Sequence, residues 1–343
     1  MEVQTVIGKI LASEMGVTLP HEHIFIDLNC IRENPTSPDY EWLVDARVSL
    51  DIFGALLHHG GVCKDNLILN DSRIAFSELL NFKKLGGKTI VEMTNRGLSP
   101  KPNELRVISR EVDLNIIAGC GYYVSSSHPP ELMNRTIDEL AKEMIRDLTE
   151  GIDGTNVRAG VIGEIGTSHP IAKSEVKVLH AAARAQRCTG VAISVHLAPR
   201  ARGHALQVLD LLESENVDPS KIILSHMDEI ADPCSDQRKA AAERGAYVEF
   251  DCFGEEGYYD ESNAVLPRDT ERVANLTRLI DCGYLDNILV SQDVCSKMYT
   301  RTYGGCGYDH IQRTIIPMLK RADVSDAEIQ RIMVDNPLRA IAH

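Results

Sequence analysis

Residues 16–27, GVTLPHEHIFID, place two histidines one residue apart inside an apolar run. Side chains alternate between the faces of a strand, so a strand puts His21 and His23 on one face, whereas a helix would separate them. Two imidazoles on one face at a strand end are typical of transition-metal sites, although a purely structural pair fits the spacing equally well. Glu22 faces the other side, so we expect it to be a structural partner behind the strand and not a general base.

The composition is that of an ordinary globular protein. The 343 residues are 43% hydrophobic and 25% charged, with a formal net charge of -14 and a pI near 5.3. This acidity argues against nucleic-acid and anionic-membrane partners, which select a basic surface. No apolar run reaches the length of a transmembrane helix, and the N-terminus lacks a signal-like basic head and apolar core. We therefore expect a cytoplasmic protein that acts on a small molecule.

The nine cysteines are odd in number and include no CxxC pair. Most lie in or beside apolar segments, as Cys120 does after residues 116–119. We expect reduced, mostly buried thiols and neither a disulfide framework nor a zinc knuckle.

Short apolar segments alternate with helical patterns after residue 86. With the first strand, the apolar segments number eight; the later ones lie at 89–93, 114–118, 160–165, 191–196, 222–226, 246–250 and 288–291. The helical patterns lie at 137–149, 175–187, 203–213, 237–244, 270–282, 310–321 and 326–334. This alternation requires parallel pairing and favours an α/β fold, a closed (β/α)8 TIM barrel. No Gly-rich phosphate fingerprint follows the first strand, which weakens the dinucleotide-binding alternative.

Two elaborations precede this alternation. Residues 3–10 and 15–19 are expected to form an N-terminal hairpin that leads into the first core strand, 18–26. Residues 30–75 are irregular, with a helix expected near 41–57, and are interpreted as an insertion after that strand. A further helical pattern at 72–85 ends at two glycines. No linker or repeat interrupts the chain, so we expect a single domain over residues 1–343.

Polar side chains lie at the C-terminal ends of the predicted strands, where barrel active sites are built. His196 and His226 each end an apolar segment, and Asp293 follows the last one. Glu164 lies among apolar neighbours, where an unpaired carboxylate would be costly. Each of these residues alone has a structural explanation, such as a hydrogen-bonded core histidine, a loop cap or an ion pair.

Together with the first histidine pair, these positions bring four imidazoles and two carboxylates to one barrel mouth. Such a set of donors suits one or two divalent ions. The sequence therefore predicts a metal site formed by His21, His23, Glu164, His196, His226 and Asp293.

These residues, in this order and at these strand ends, resemble the phosphotriesterase family of the amidohydrolase superfamily. The resemblance covers essentially the whole chain. It rests on the segments GVTLPHEH (16–23), FKKLGGKTIV (82–91), GEIGTS (163–168), SHMD (225–228) and DNP (335–337). The segment YGGCGYDHI (303–311) is most similar to the phosphotriesterase-related branch.

Membership of that family implies a binuclear centre. Carried over by position, the more buried ion is bound by His21, His23 and Asp293 and the more exposed ion by His196 and His226. Glu164 stands where many members carry a carboxylated lysine, and so resembles the glutamate-bridged branch. We expect two Zn²⁺ ions, although Mn²⁺ and Fe²⁺ also suit mixed ligation. The resemblance further implies a homodimer.

The implied chemistry is hydrolysis. Two cations can lower the pKa of a bridging water from about 15.7 toward ~7, and the metal-bridging hydroxide would attack a carbonyl or phosphoryl centre. Asp293 is the candidate to take the proton and deliver it to the leaving group. Asp228, two residues after His226, could relay that proton outward or hold a histidine in place, and the sequence leaves both roles open.

The loops after the strands determine the substrate. Related lactonases place a substrate-facing tyrosine after the third strand, and both Tyr122 and Tyr123 lie in that region. Arg272 and Lys297 are candidates for binding a substrate anion, with a solvated helix face or rim as the alternative. We expect cleavage of a carboxylic ester, a lactone in particular. The alternatives are an N-acyl amide or amino-acid conjugate, a promiscuous phosphotriester, and a metal-containing binding protein without turnover.

Overall fold

The barrel consists of eight parallel strands that are neighbours in the order of the chain. The computed structural model describes residues 1–199, 201, 203–229 and 236–342. The strands are β1 (Val17–Glu22), β2 (Gly87–Glu92), β3 (Asn115–Cys120), β4 (Val161–Gly166), β5 (Ile193–His196), β6 (Ile222–Leu224), β7 (Tyr247–Phe250) and β8 (Ile288–Val290). Among the described residues no ladder pairing joins β8 to β1, so the sheet is a nearly closed barrel. The predicted (β/α)8 fold is confirmed.

Helices surround the sheet. They are α1 (Phe53–His59), α2 (Ser72–Lys84), α3 (Pro102–Val112), α4 (Ile137–Thr149), α5 (Lys173–Thr189), α6 (His204–Ser214), α7 (Asp236–Glu243), α8 (Asp269–Asp281), α9 (Ile316–Arg321), α10 (Asp326–Gln330) and α11 (Asn336–Ile341). Local signals set several ends. Thr136 and Glu139 form a capping box that begins α4. Gly190, at a φ of 77°, ends α5 in the left-handed conformation.

The lumen of the barrel is closed at one end by apolar side chains, which we call the barrel floor. It is formed by Val3, Ala12, Met15, Val91, Met93, Ile117, Val161, Ala192, Ile223, Tyr247, Leu289, Ala340, Ile341 and Ala342. Strand alternation explains this set, because Ile223 points into the lumen while Ile222 and Leu224 pack against the helices. The N-terminal hairpin and α11 complete the floor, which leaves the opposite end, at the carboxyl ends of the strands, for the site.

Several boundaries differ from the predictions. The N-terminal hairpin pairs Glu2–Thr5 with Gly8–Leu11, and not with residues 15–19, because Val17 onward pairs with β2 in the barrel. The helix expected near 41–57 is confirmed only in its last part, as the short α1, because 3-10 turns occupy Pro38–Leu43 and Leu50–Ile52 before it. Helix α3 was not predicted, although Pro102 at its first position is a standard start signal.

Irregular segments form a rim around the mouth. Ile26–Asp27 pairs with Ile68–Leu69, and a hairpin of Gly257–Tyr259 with Ala264–Leu266 follows β7. This second hairpin is called the rim hairpin below. The eight described cysteines are free thiols, as expected, but most are not buried, because only Cys63, Cys120 and Cys252 are; Cys234 lies outside the described residues. Among the described helices, none is both long and apolar enough for a bilayer crossing.

Candidate metal centre

The six predicted ligand residues converge at the carboxyl ends of the strands. His23 Nε2 lies 3.2 Å from Asp293 Oδ1, and His21 Nε2 lies 3.7 Å from the same oxygen. His226 Nε2 lies 2.7 Å from His196 Nδ1. The structure therefore brings together donors from β1, β5 and the segments after β1, β6 and β8: His21 and His23 lie near Asp293, and His196 lies near His226.

Glu164 of β4 lies between the two groups. One carboxylate oxygen, Oε1, is 3.3 Å from His23 Nε2, and the other, Oε2, is 3.0 Å from His196 Nδ1. Burial alone would raise the pKa of Glu164, but the neighbouring imidazoles of His196, His226 and His23 lower it well below its usual value. The residue is therefore a carboxylate whose Oε1 faces His23, while its Oε2 faces His196 and lies 3.7 Å from His21 Nε2 and 3.8 Å from His226 Nε2.

The outer nitrogens of the imidazoles have their own partners. His23 Nδ1 lies 2.9 Å from Thr94 Oγ1, and His226 Nδ1 lies 3.1 Å from Asp251 Oδ1. His21 Nδ1 is 3.3 Å from Glu249 Oε2 and 3.2 Å from Asp251 Oδ2. Metal-binding histidines typically use such a partner on the second nitrogen to fix the ring and its tautomer. The arrangement leaves the Nε2 atoms of all three rings directed at the centre.

The donors fit a divalent cation. His21 Nε2 and Asp293 Oδ1 are buried and have no hydrogen-bond partner among the described residues, and unpaired buried polar atoms are unfavourable unless a ligand satisfies them. His21, His23 and Asp293 present ligand atoms within 4.8 Å of one another, as do His21, Glu164 and His226. Imidazole and carboxylate donors suit zinc, manganese and iron.

Two of the ligand residues lie in turns beyond the strands where they were expected. His226 and Asp293 have φ angles of 59° and 49°, in the left-handed region that side chains other than glycine rarely adopt. Asp251 accepts a hydrogen bond from the His226 backbone N–H at 2.8 Å. Glu22 accepts one from the Val294 N–H at 2.9 Å. These carboxylates hold the turns that aim the ligands.

Glu22 also joins the two edge strands of the barrel. Its Oε1 accepts hydrogen bonds from Ser291 Oγ at 2.7 Å and from the Gln292 N–H at 2.8 Å. Burial raises the pKa of Glu22 to about 7, against these hydrogen bonds. The expectation that Glu22 is a structural partner behind the strand matches this position.

Asp228 does not hold a histidine, because Asp251 occupies that place. The carboxylate of Asp228 is fully buried and accepts hydrogen bonds from Arg272 Nε at 2.8 Å and from the Cys252 N–H at 3.1 Å. Arg272 is fully buried as well, and its Nη1 donates to the carbonyls of Glu255 and Pro267. The hypothesis that Arg272 binds a substrate anion is therefore wrong: its guanidinium stabilises the segments around the site.

The remaining candidates for substrate binding separate clearly. Tyr123 lines the cavity above the centre, with its hydroxyl 3.5 Å from His196. Tyr122 points into the core, where its hydroxyl contacts Glu143 at 3.1 Å. Lys297 is paired with Asp65 at 2.8 Å and is not among the residues that line this cavity. Of these three, only Tyr123 is in a position to contact a substrate.

A cavity of about 240 Å³ lies directly over the ligand cluster. The bottom of this cavity is formed by His23, Glu164, His196, His226 and Asp293. The insertion, the rim hairpin and the segment after Asp293 form its walls through Leu28, Ile31, Leu67, Glu255, Tyr259, Leu266, Cys295 and Tyr299. The volume lies just below the ~300–1,000 Å³ of typical small-molecule sites, which indicates a small substrate.

Glu249 and Asp251 contact the candidate ligands His21 and His226, and the sequence interpretation missed both of them. They alternate with Val248 and Phe250 at the end of β7, so period two places both in the lumen. This is the signal that identified the first histidine pair. It was overlooked because carboxylates in a short apolar segment lack the distinctiveness of histidines.

The chain is similar to known proteins over almost its whole length. A profile of the phosphotriesterase family matches residues 1–341. An N-acetyltaurine hydrolase of Danio rerio is 36% identical, and the match covers 98% of this chain and 97% of that protein. The N-acetyltaurine hydrolase of Dictyostelium discoideum is 33% identical over 99% of this chain and 97% of its own length.

Solved structures extend the likeness to the whole fold. A resiniferatoxin-binding protein from Rhodobacter sphaeroides is 38% identical and superposes with a TM-score of 0.96, covering 99% of this chain and 94% of that one. The lactonase Lmo2620 of Listeria monocytogenes is 25% identical, with a TM-score of 0.80 and coverage of 100% and 99%.

Proposed function

The chain belongs to the phosphotriesterase family and is a hydrolase, and from this premise we propose that it cleaves the acyl bond of a small N-acyl conjugate by means of two divalent ions. The observation that carries the proposal is the convergence of imidazole nitrogens with Glu164 and Asp293 beneath the cavity. Such a set, open on one side to substrate, is typical of metal-assisted hydrolysis.

In this proposal the chain's own residues have separate tasks. His21, His23 and Asp293 would hold one divalent ion, His196 and His226 would hold a second, and Glu164 would supply a carboxylate oxygen to either. The ions, when bound, polarise the scissile carbonyl and make water acidic near neutral pH. Asp293 accepts the proton of the attacking water and passes it to the leaving nitrogen as the C–N bond breaks, which yields a carboxylic acid and an amine. Tyr123 orients the acyl group over His196.

The relatives favour an amide over an ester. Curated relatives of Danio rerio and Dictyostelium discoideum, at 36% and 33% identity over nearly the whole chain, are named for hydrolysis of N-acetyltaurine, whereas the lactonases are 25–27% identical. This reverses the order set from the sequence, in which a lactone came first. A lactone remains the second candidate, because Tyr123 occupies the position expected for the substrate-facing tyrosine of lactonases and lines the cavity.

A substrate panel distinguishes the two. The protein is stripped of metal, reloaded with Zn²⁺, and assayed against N-acetyltaurine and N-acetyl amino acids by the free amine released, and against γ- and δ-lactones by the acid released to a pH indicator. We expect a kcat/KM at least about tenfold higher for one of the N-acetyl compounds than for any lactone. Higher activity on lactones would replace the amide proposal with the second candidate. No metal-dependent hydrolysis of either class would leave the alternative of a binding protein.

A further inference from the structure

A second group of potential metal ligands lies away from the candidate metal centre. His59, Asp260 and Glu261 present donor atoms within 4.8 Å of one another. His59 is the last residue of α1, and the two carboxylates lie in the turn of the rim hairpin. None of the three residues lines the cavity over the candidate metal centre. This group is therefore separate from the six candidate ligands.

Glu261 has an unsatisfied oxygen in this group. Its side chain is only 3% exposed, and its Oε1 lies 2.7 Å from His59 Nδ1. The second oxygen, Oε2, is buried and has no hydrogen-bond partner among the described residues. An orphan carboxylate oxygen in the interior is costly. A bound cation would satisfy it.

The other two residues complete a site with a fixed side and an open side. The ring of Tyr40 packs on His59, with centroids 3.7 Å apart, and holds the imidazole in place. Asp260 is partly exposed and accepts hydrogen bonds from Thr36 Oγ1 at 2.5 Å and from Tyr258 at 3.4 Å. Its exposure provides an entry path for an ion and room for water in the remaining coordination positions.

We propose that His59, Asp260 and Glu261 bind a divalent transition-metal ion, for which Zn²⁺ is the best match to one imidazole and two carboxylates. Binding displaces the proton that His59 and Glu261 share, because metal ligands must be deprotonated.

The proposed ion joins two parts of the cavity wall. Gly60 and Gly61 follow His59, and Tyr259 and Ser262 flank the two carboxylates; all four residues line the cavity. The ion thus fastens the rim hairpin to the insertion from behind, without contacting the substrate.

Zinc content measures this site directly. Metal-free protein is equilibrated with Zn²⁺ and its bound metal is counted in wild type, Glu261→Gln and His59→Gln. We expect each variant to bind one equivalent less than wild type. Glu256→Gln, a matched loss of an exposed carboxylate before the same hairpin, should bind as much as wild type. Adding Glu261→Gln to the Glu164→Ala variant should remove one further equivalent of Zn²⁺, whatever number of ions the candidate metal centre holds.

Equal zinc content in wild type, Glu261→Gln and His59→Gln would overturn the proposal and leave a hydrogen-bonded pair that only docks the hairpin. Circular dichroism establishes that each variant is folded. If Glu261→Gln does not fold, His59→Gln and Asp260→Asn give the same count, and a wild-type content in either would overturn the proposal equally.

Discussion

The two ends of the barrel are built from the same eight strands but have opposite character. At the floor the lumen side chains are apolar, such as Ile223 and Leu289. Two residues further along the same faces are Ser225 and Ser291, which hydrogen-bond to Glu249 and Glu22. At the mouth the lumen is lined by histidines and carboxylates. Along each strand, the residues that stabilise the apolar core therefore lie only a few positions before the residues of the candidate site.

Among the variants that test this difference between the two ends, the largest effect is expected from removing the Glu164 carboxylate at the mouth. In Glu164→Ala, the imidazoles lose the anion that lies between them, so we expect the loss of at least one bound ion and of all measurable hydrolysis. Metal analysis and turnover on the best panel substrate measure this. Glu164→Asp, which keeps a carboxylate, should retain part of the metal. Unchanged metal content in the alanine variant would refute Glu164 as a ligand.

Asp293→Asn affects proton transfer more than the fold. The amide keeps the side-chain shape but cannot accept the proton, so kcat should fall about 10²–10⁴-fold with a smaller change in KM. Metal content is measured alongside, to separate lost proton transfer from a lost ion. An unchanged kcat in the metal-loaded variant would remove Asp293 from this role.

The corresponding test at the barrel floor removes an apolar side chain. Leu289 is fully buried in β8, and Leu289→Ala should lower the free energy of unfolding by about 2–5 kcal/mol because it leaves a cavity. Its metal content and KM should remain those of wild type. Val265→Ala, at a side chain that is 68% exposed, is the control and should cost little. A loss of metal from folded Leu289→Ala would show that the two ends are coupled.

Glu22→Gln tests the seam between β1 and β8, by which we mean the hydrogen bonds from Ser291, Gln292 and Val294 to Glu22. One amide oxygen cannot replace the two carboxylate oxygens that accept from Ser291, Gln292 and Val294, so unfolding should become easier by about 1–3 kcal/mol. Chemical denaturation measures the change. A variant as stable as wild type would show that the seam does not depend on this carboxylate.

Candidate ligands at the mouth could be predicted from the sequence wherever the alternation of side chains along a strand coincided with a distinctive residue type. His21, His23, His196 and His226 could be placed this way, and the structure brings them together. The same periodicity also marked Asp251, but a carboxylate has many ordinary explanations, and its partnership with His226 spans β6 and β7. Contacts between strands depend on register, which a single sequence does not specify.

The rim was much less predictable. Tyr122 and Tyr123 are adjacent and chemically identical, yet one is anchored by Glu143 in the core and the other lines the cavity. Arg272 looked like a surface cation on a helix and is instead enclosed with Asp228. Both outcomes are set by tertiary packing of loops, which carries no periodic signal.

The seam at Glu22 also has a consequence for the order in which the protein can mature. During synthesis His21 and His23 emerge early, whereas Ser291, Gln292 and Val294, the partners of Glu22, emerge only near the end. Until then the Glu22 carboxylate has no donors in the interior and cannot be buried favourably. A chain that stops before β8 therefore lacks both the closing strand and Asp293. The favourable burial of Glu22, which lies between His21 and His23, is thereby tied to completion of the polypeptide.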